Sequence, residues 1–147
     1  MAPYTITKIF KGYPFAHRQP EHEGHCSLIH GHNWDFEVTL EADELDECGF
    51  VYDFGKFKEF KEWLTAMFDH TCLINHSDPE ASRLLKLRDE GLADIVLVSS
   101  CSCEGLAEMV YRELVTRIAE SEGTRVRVVS VTVHEDYKNK STYHGGN

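Results

Sequence analysis

No apolar run in the chain approaches the roughly 18 residues that a membrane-spanning helix needs. Pro/Gly/Ser-rich linkers are also missing, so residues 1–147 are expected to form a single domain large enough to bury its own core. The opening residues Met1-Ala2-Pro3-Tyr4-Thr5 show no charged segment followed by an apolar one, so no secretory signal is expected. Basic residues are scarce: 15 Lys and Arg stand against 25 Asp and Glu, a formal charge of −10. That balance argues against a broad nucleic-acid surface, because phosphate contacts need clustered cations. An anionic substrate must then find a local basic pocket, for which Lys8, Lys11, Arg18, Arg83, Lys86 and Arg88 are the candidates by position. The five cysteines are an odd number without framework-like spacing, which fits reduced thiols in a cytoplasmic protein better than a disulfide scaffold.

Against these absences stands one dense stretch, Cys26-Ser27-Leu28-Ile29-His30-Gly31-His32. Directly after it Trp34, Phe36, Val38 and Leu40 alternate with Asp35, Glu37, Thr39 and Glu41, the period of a half-buried strand. His30 and His32 therefore sit where a strand begins, two residues apart and on one side of it. A His-x-His pair alone is as readily a hydrogen-bonded surface pair. A third imidazole changes that, and His17 is the candidate: it ends the segment Tyr13-Pro14-Phe15-Ala16-His17, which can pair antiparallel with the strand starting at Gly31. Three neutral imidazoles without a fourth thiolate match the ligand set of a catalytic zinc, whose remaining position is left to water or substrate.

Taken in order, residues 4–16 read as a strand that bends or bulges at Gly12 and Pro14, residues 18–29 as a loop carrying Cys26, and residues 31–42 as a second strand. From Phe54 the apolar positions Phe57, Phe60, Leu64, Met67 and Phe68 fall at threes and fours, a helix with Asp53 as its N-cap and an end near Asp69-His70. Pro79 to Gly91 can form a short helix or lid, and Ile95-Val96-Leu97-Val98 a small extra strand. Leu106, Ala107, Val110, Leu114 and Ile118 keep helical spacing up to Gly123. Strands then follow from Val126 to Val133 and from Ser141 to His144. The expected class is α+β: a four-stranded antiparallel sheet in ββααββ order with two helices on one face. Its open edges invite closure into an oligomeric β-barrel.

Five elements, Phe15-Ala16-His17, Cys26-x-x-x-His30-Gly31-His32-Asn33, Val51-x-Asp53-Phe54, Asp69-His70 and Val133-x-Glu135, occur in this order over nearly the whole chain. In them the sequence resembles the family of 6-pyruvoyl-tetrahydropterin and 6-carboxytetrahydropterin synthases, which has the tunnelling fold (T-fold). The three-residue gap between Cys26 and His30 is similar to that of the bacterial carboxy-forming branch, which serves queuosine and other 7-deazapurine pathways. Two departures stand out. The family's Asp-His-x-x-Leu-Asn becomes Asp69-His70-Thr71-Cys72-Leu73-Ile74-Asn75, with Asn one position late, and its Pro-Thr-x-Glu-Asn becomes Cys101-Ser102-Cys103-Glu104-Gly105. The segment from His76 to Ser100 is also longer than in compact bacterial members.

The resemblance implies that His17, His30 and His32 hold Zn2+. It makes Cys26 the base that moves protons on the substrate side chain, assisted by Asp69 and His70. Glu135 would anchor the guanidine-like edge of a pterin, with Ser102 and Glu104 as the substrate-binding element at the helix entrance. Each residue alone has a plainer reading: Cys26 an inert thiol, Asp69-His70 a helix C-terminal pair, Glu135 a solvated charge. The implied reaction converts 7,8-dihydroneopterin triphosphate to 6-carboxy-5,6,7,8-tetrahydropterin with release of acetaldehyde and triphosphate. The alternatives are a pyruvoyl product or a related pterin side-chain cleavage, and, in another class, a zinc- or pterin-binding protein without turnover. The family also implies a homohexamer built as a dimer of trimers, with neither membrane nor nucleic acid as partner. Cys101 and Cys103 are expected to be small residues at the helix entrance rather than a second metal site.

Overall fold

Alternation of apolar and polar residues builds the centre of the molecule, a hairpin of β1 (Tyr4–His17) and β2 (His30–Ala42), in a computed structural model that describes residues 2–146. In β2 the even-numbered Trp34, Phe36, Val38, Leu40 and Ala42 are completely buried, and the odd-numbered residues between them are partly exposed. β5 (Val126–His134) pairs antiparallel with the far side of β2, and β6 (Lys140–His144) with β5. These four strands are the antiparallel sheet expected from the sequence.

The sheet is nevertheless larger than expected. β3 (Cys72–Asn75) and β4 (Ile95–Val98) extend it to six strands in the order β4-β3-β1-β2-β5-β6, with β3 parallel to both β1 and β4. Four strands in ββααββ order is therefore corrected to a six-stranded mixed sheet. β4 was readable as a small extra strand. β3 was not, because Cys72-Leu73-Ile74 is buried on both faces and shows no alternation.

Three helices complete the fold: α1 (Lys58–Phe68), α2 (Ala81–Asp89) and α3 (Cys103–Glu122). Asp53 does accept a capping bond, from the Gly55 amide at 2.8 Å, but the turn it caps, Phe54–Phe57, is a 3-10 turn that precedes α1. Phe60, Leu64 and Phe68 of α1 and Leu106, Val110, Leu114 and Ile118 of α3 share one core with Phe36, Val38, Leu40, Val131 and Val133 of the sheet. α2 packs separately, its Leu84 against Cys72, Ile74 and Ile95. The long segment between His76 and Ser100 thus has its own small core and is bound to the sheet by parallel pairing.

One register shift governs which side chains face that core. Phe10 lies opposite Phe36 and Tyr13 opposite Trp34, so β1 carries one more residue than β2 between these pairs. Gly12 takes up the bulge at φ +83°, a left-handed conformation that costs glycine little, and its amide donates to Asp35 Oδ1 at 2.9 Å. Before the bulge the buried side chain is the even-numbered Phe10; after it they are the odd-numbered Tyr13, Phe15 and His17.

Gly105, in the first turn of α3, is a place where backbone approaches backbone. A Cβ there would lie 2.6 Å from the Ser100 carbonyl oxygen. Replacing a helical glycine by alanine ordinarily stabilises by about 1 kcal/mol. Gly105→Ala is expected to reverse that sign and destabilise by about 1–3 kcal/mol, measured as a lower denaturant midpoint at unchanged slope.

Candidate metal centre

Because the bulge puts His17 on the odd-numbered buried face of β1, it meets the even-numbered face of β2. His17 pairs directly with His30, and Phe15 pairs with His32. One potential ligand atom from each of His17, His30 and His32 lies within 4.8 Å of the other two. The Nε2 atoms of His17 and His30 are 3.1 Å apart. Nitrogens bound at 2.0–2.1 Å to a tetrahedral ion would be separated by about 3.3 Å, so the imidazoles are close to metal-binding geometry.

Backbone carbonyls fix which nitrogens are available. His17 Nδ1–H donates to the Cys101 carbonyl at 2.7 Å, and His30 Nδ1–H donates to the Leu28 carbonyl at 2.8 Å. In neutral rings both Nε2 atoms then carry lone pairs, and two lone pairs at this separation repel unless a cation lies between them. His32 Nε2 is buried and has no hydrogen-bond partner, an orphaned nitrogen beside the other two. Burial lowers the pKa of His17 to about 4, assisted by the neighbouring His30 and His32, so the ring is neutral and able to ligate near neutral pH. Glu135 Oε1 stands 3.5 Å from His32 Nε2 and 3.6 Å from His17 Nε2, an oxygen beside the open side of the triad. Three imidazoles and a nearby carboxylate fit a borderline divalent cation.

A cavity of about 380 Å³ opens over this cluster, lined by His17, Cys26, His30, Ser102, Glu104 and Glu135. Cys26 rides on the short 3-10 turn His25–Ser27 in the loop between β1 and β2. The sequence thus named six residues that meet at one place, together with His32 behind them. Ser102 has a structural duty as well: it is the N-cap of α3, its Oγ accepting from the Gly105 amide at 3.0 Å.

Asp69 and His70 do not line this cavity. They form a 2.6 Å hydrogen-bonded pair after α1, with the His70 side chain 83% exposed and its backbone at φ +61°. Within one chain the dyad is therefore not among the residues that line the cavity with Cys26, which it was expected to assist. Cys101 and Cys103 are buried at the α3 entrance. Their thiols donate to the carbonyls of Arg18 and Val133, both at 3.2 Å, and burial raises both thiol pKa values. Among the described residues the three histidines are the metal-type cluster.

Sequence reasoning missed other contributors. Lys140, at the start of β6, lines the cavity, whereas Arg18 is locked in an ion pair with Asp78. Asn75 accepts from the Cys101 amide at 2.8 Å and so steadies the residue whose carbonyl, in the next peptide, orients His17. The late position of Asn75 after Asp69-His70 was visible in the sequence, but its partner 26 residues away was not.

A family model described as 6-pyruvoyl tetrahydropterin synthase matches residues 5–146. A protein of Rickettsia bellii named 6-carboxy-5,6,7,8-tetrahydropterin synthase is 30% identical over 108 residues, 73% of this chain and 78% of that one. An Aquifex aeolicus protein of the same name is 31% identical over 136 residues, 90% of this chain and 83% of that one. Among solved structures, an uncharacterized protein from Wolinella succinogenes has a TM-score of 0.85 at 24% identity, covering 97% of this chain and 98% of its own. The 6-pyruvoyl tetrahydropterin synthase of Caenorhabditis elegans has a TM-score of 0.66 at 24% identity, covering 99% and 98%. At these identities the structural likeness speaks for the fold alone.

Two outcomes are expected of the site. Asn75→Leu removes the acceptor that holds the Cys101 peptide, and Co2+ affinity, read from competition titration, should fall about 10- to 100-fold with the chain still folded. In the chelated, metal-free protein His17 takes up a proton only near pH 4 when folded but near 6.5 when unfolded. The unfolded state then binds more protons between these values, so stability falls as pH drops from about 6.5 to 4. Thermal unfolding across that range checks it, and His17→Gln should flatten the dependence.

Proposed function

Because the chain belongs to the 6-pyruvoyl tetrahydropterin synthase family, a family of enzymes, we propose that it converts 7,8-dihydroneopterin triphosphate to 6-carboxy-5,6,7,8-tetrahydropterin, releasing acetaldehyde and triphosphate. The names of its relatives in Rickettsia bellii and Aquifex aeolicus support the carboxylated product, and the pathway so served would be that of queuosine and other 7-deazapurines. The observation that carries the reading is the convergence of three imidazoles, two of them with tautomers set by main-chain carbonyls, beside a cavity that a thiol and a carboxylate also line.

Zn2+ held by Nε2 of His17, His30 and His32 would supply Lewis acidity to the hydroxyl oxygens of the substrate side chain, making the adjacent protons easier to remove. The rest falls to the chain's own groups. Cys26 Sγ, as thiolate, takes a proton from the side chain and returns it elsewhere, chemistry suited to a sulfur beside a cation. The Glu135 carboxylate has two oxygens with which to accept parallel N–H bonds from the pterin's guanidine-like edge. Lys140 offers the cavity a positive charge for an anionic substrate in a chain that is otherwise strongly acidic.

The Asp69–His70 dyad enters this scheme through assembly. We assign it to the cavity of a neighbouring protomer in a hexamer built as a dimer of trimers, where the open sheet edges pair into a barrel. Its exposure and the uncovered edges at β4 and β6 support that reading. Asp69 would orient His70 and stabilise its charged form.

Incubation of zinc-loaded protein with dihydroneopterin triphosphate, with products identified by mass, tests the proposal directly. The expected products are the carboxylated pterin and acetaldehyde; a 6-pyruvoyl product alone would reassign the reaction. Cys26→Ala should lower turnover by about 10²- to 10⁴-fold while the protein keeps its zinc. Turnover undiminished in that variant would remove Cys26 from the chemistry.

A further inference from the structure

We propose that Asp78, in the turn before α2, is a positioning residue for the Cys26 loop and acts on it through Arg18. The inference rests on the reading of Cys26 as the proton-transfer group only for its catalytic consequence. The structural part stands on the contacts themselves.

Asp78 is an anomaly for a surface turn, since its side chain is 0% exposed. A carboxylate so placed is costly unless its oxygens are matched, and here they are matched in full. Arg18 presents its fork side-on: Nε donates to Oδ2 and Nη2 to Oδ1, both at 2.6 Å. The Glu80 amide also donates to Oδ1, at 2.8 Å, and the Asp78 amide donates to the Asn75 carbonyl at 3.0 Å. The carboxylate is thus held from two sides, and the Arg18 guanidinium holds its carboxyl below the usual range.

The third nitrogen of the guanidinium reaches the loop. Arg18 Nη1 donates to the Ser27 carbonyl at 3.0 Å, one residue beyond Cys26. Next to it the Gln19 amide donates to the Cys26 carbonyl at 2.8 Å. Two successive carbonyls, on either side of Ser27, are therefore tied to the end of β1, and the side-chain tie is aimed by Asp78, 60 residues away. Apart from the bond of the Leu28 carbonyl to His30 Nδ1 at the far end, the other bonds of the loop among the described residues are turns within it, such as the Ser27 amide to the Gly24 carbonyl, and do not fix it to the body of the protein. Arg18 is anchored at its own backbone as well, where its carbonyl accepts from the Cys101 thiol. A lysine has no planar fork with which to hold a carboxylate side-on and a carbonyl together. The extra segment between β3 and β4 thereby supplies the fixed anion that sets where the Cys26 thiol stands over the histidines.

The test uses full-length, zinc-loaded protein and the variants Asp78→Asn and Arg18→Lys, with hydrogen exchange resolved by peptide alongside steady-state kinetics. Exchange within residues 19–28 should accelerate at least about tenfold, with β1 and β2 still protected and zinc content unchanged. kcat should fall about 10- to 100-fold with little change in KM. Should either single variant fail to fold, the double variant Arg18→Met/Asp78→Asn leaves no unpaired buried charge and carries the same readouts. Unchanged exchange in residues 19–28 would overturn the proposal, as would acceleration spread evenly over the molecule, which marks a merely structural ion pair. Faster exchange in that loop with undiminished turnover would uphold the positioning by Asp78 and overturn the role of Cys26 instead.

Discussion

A strand offers each side chain one of two faces, and the three imidazoles converge because β1 switches faces once. Were the same residues paired in unbroken alternation, with no bulge between Phe10 and Tyr13, His17 would share a face with the exposed Ile9 and point away from His30 and His32. The bulge brings Tyr13, Phe15 and His17 over to the side where Trp34, Phe36 and the helices lie. Core packing and ligand geometry therefore depend on the same local defect, and neither can be adjusted independently of the other. Phe15 stacks on Trp34 with ring centres 4.3 Å apart, and the Trp34 indole donates to the Phe15 carbonyl, which stiffens the hairpin just before the imidazoles.

Around the triad the chain solves an electrostatic problem with neutral groups. Rings buried as deeply as His17 resist protonation, and main-chain carbonyls select the tautomer without adding a second charge. The ionised partners stand further out: Glu135 beside the imidazoles, Lys140 on the wall of the cavity, Asp78 sealed behind Arg18.

Much of this was legible in the sequence, and the division follows the range of the interactions. The alternation in β2, the helical spacing in α1 and α3 and the bend at Gly12 are local signals, and each led to the right element. The histidine triad was readable for the same reason: all three ligands belong to one hairpin. What escaped were contacts between distant segments. The parallel pairing of Cys72–Asn75 with β1, the grip of Asn75 on the Cys101 peptide and the Arg18–Asp78 pair each join residues that no periodicity connects. The Asp69–His70 dyad was recognised as a pair, and its hydrogen bond is present, yet its absence from the cavity lining depends on how strands are placed in space and not on spacing along the chain.

That same division bears on the order in which the molecule takes shape. The three ligands are separated by a loop of modest length between His17 and His30, so closing the hairpin costs little chain entropy. The carbonyl that orients His17 belongs to Cys101, 84 residues further on, and arrives only when β4 and α3 have docked. A nascent chain emerging from its N-terminus would thus display a metal-binding hairpin before the body of the protein exists to tune it. A metal taken up by the hairpin alone would meet a His17 ring that no main-chain carbonyl had yet oriented, and the completed fold would hold it more tightly.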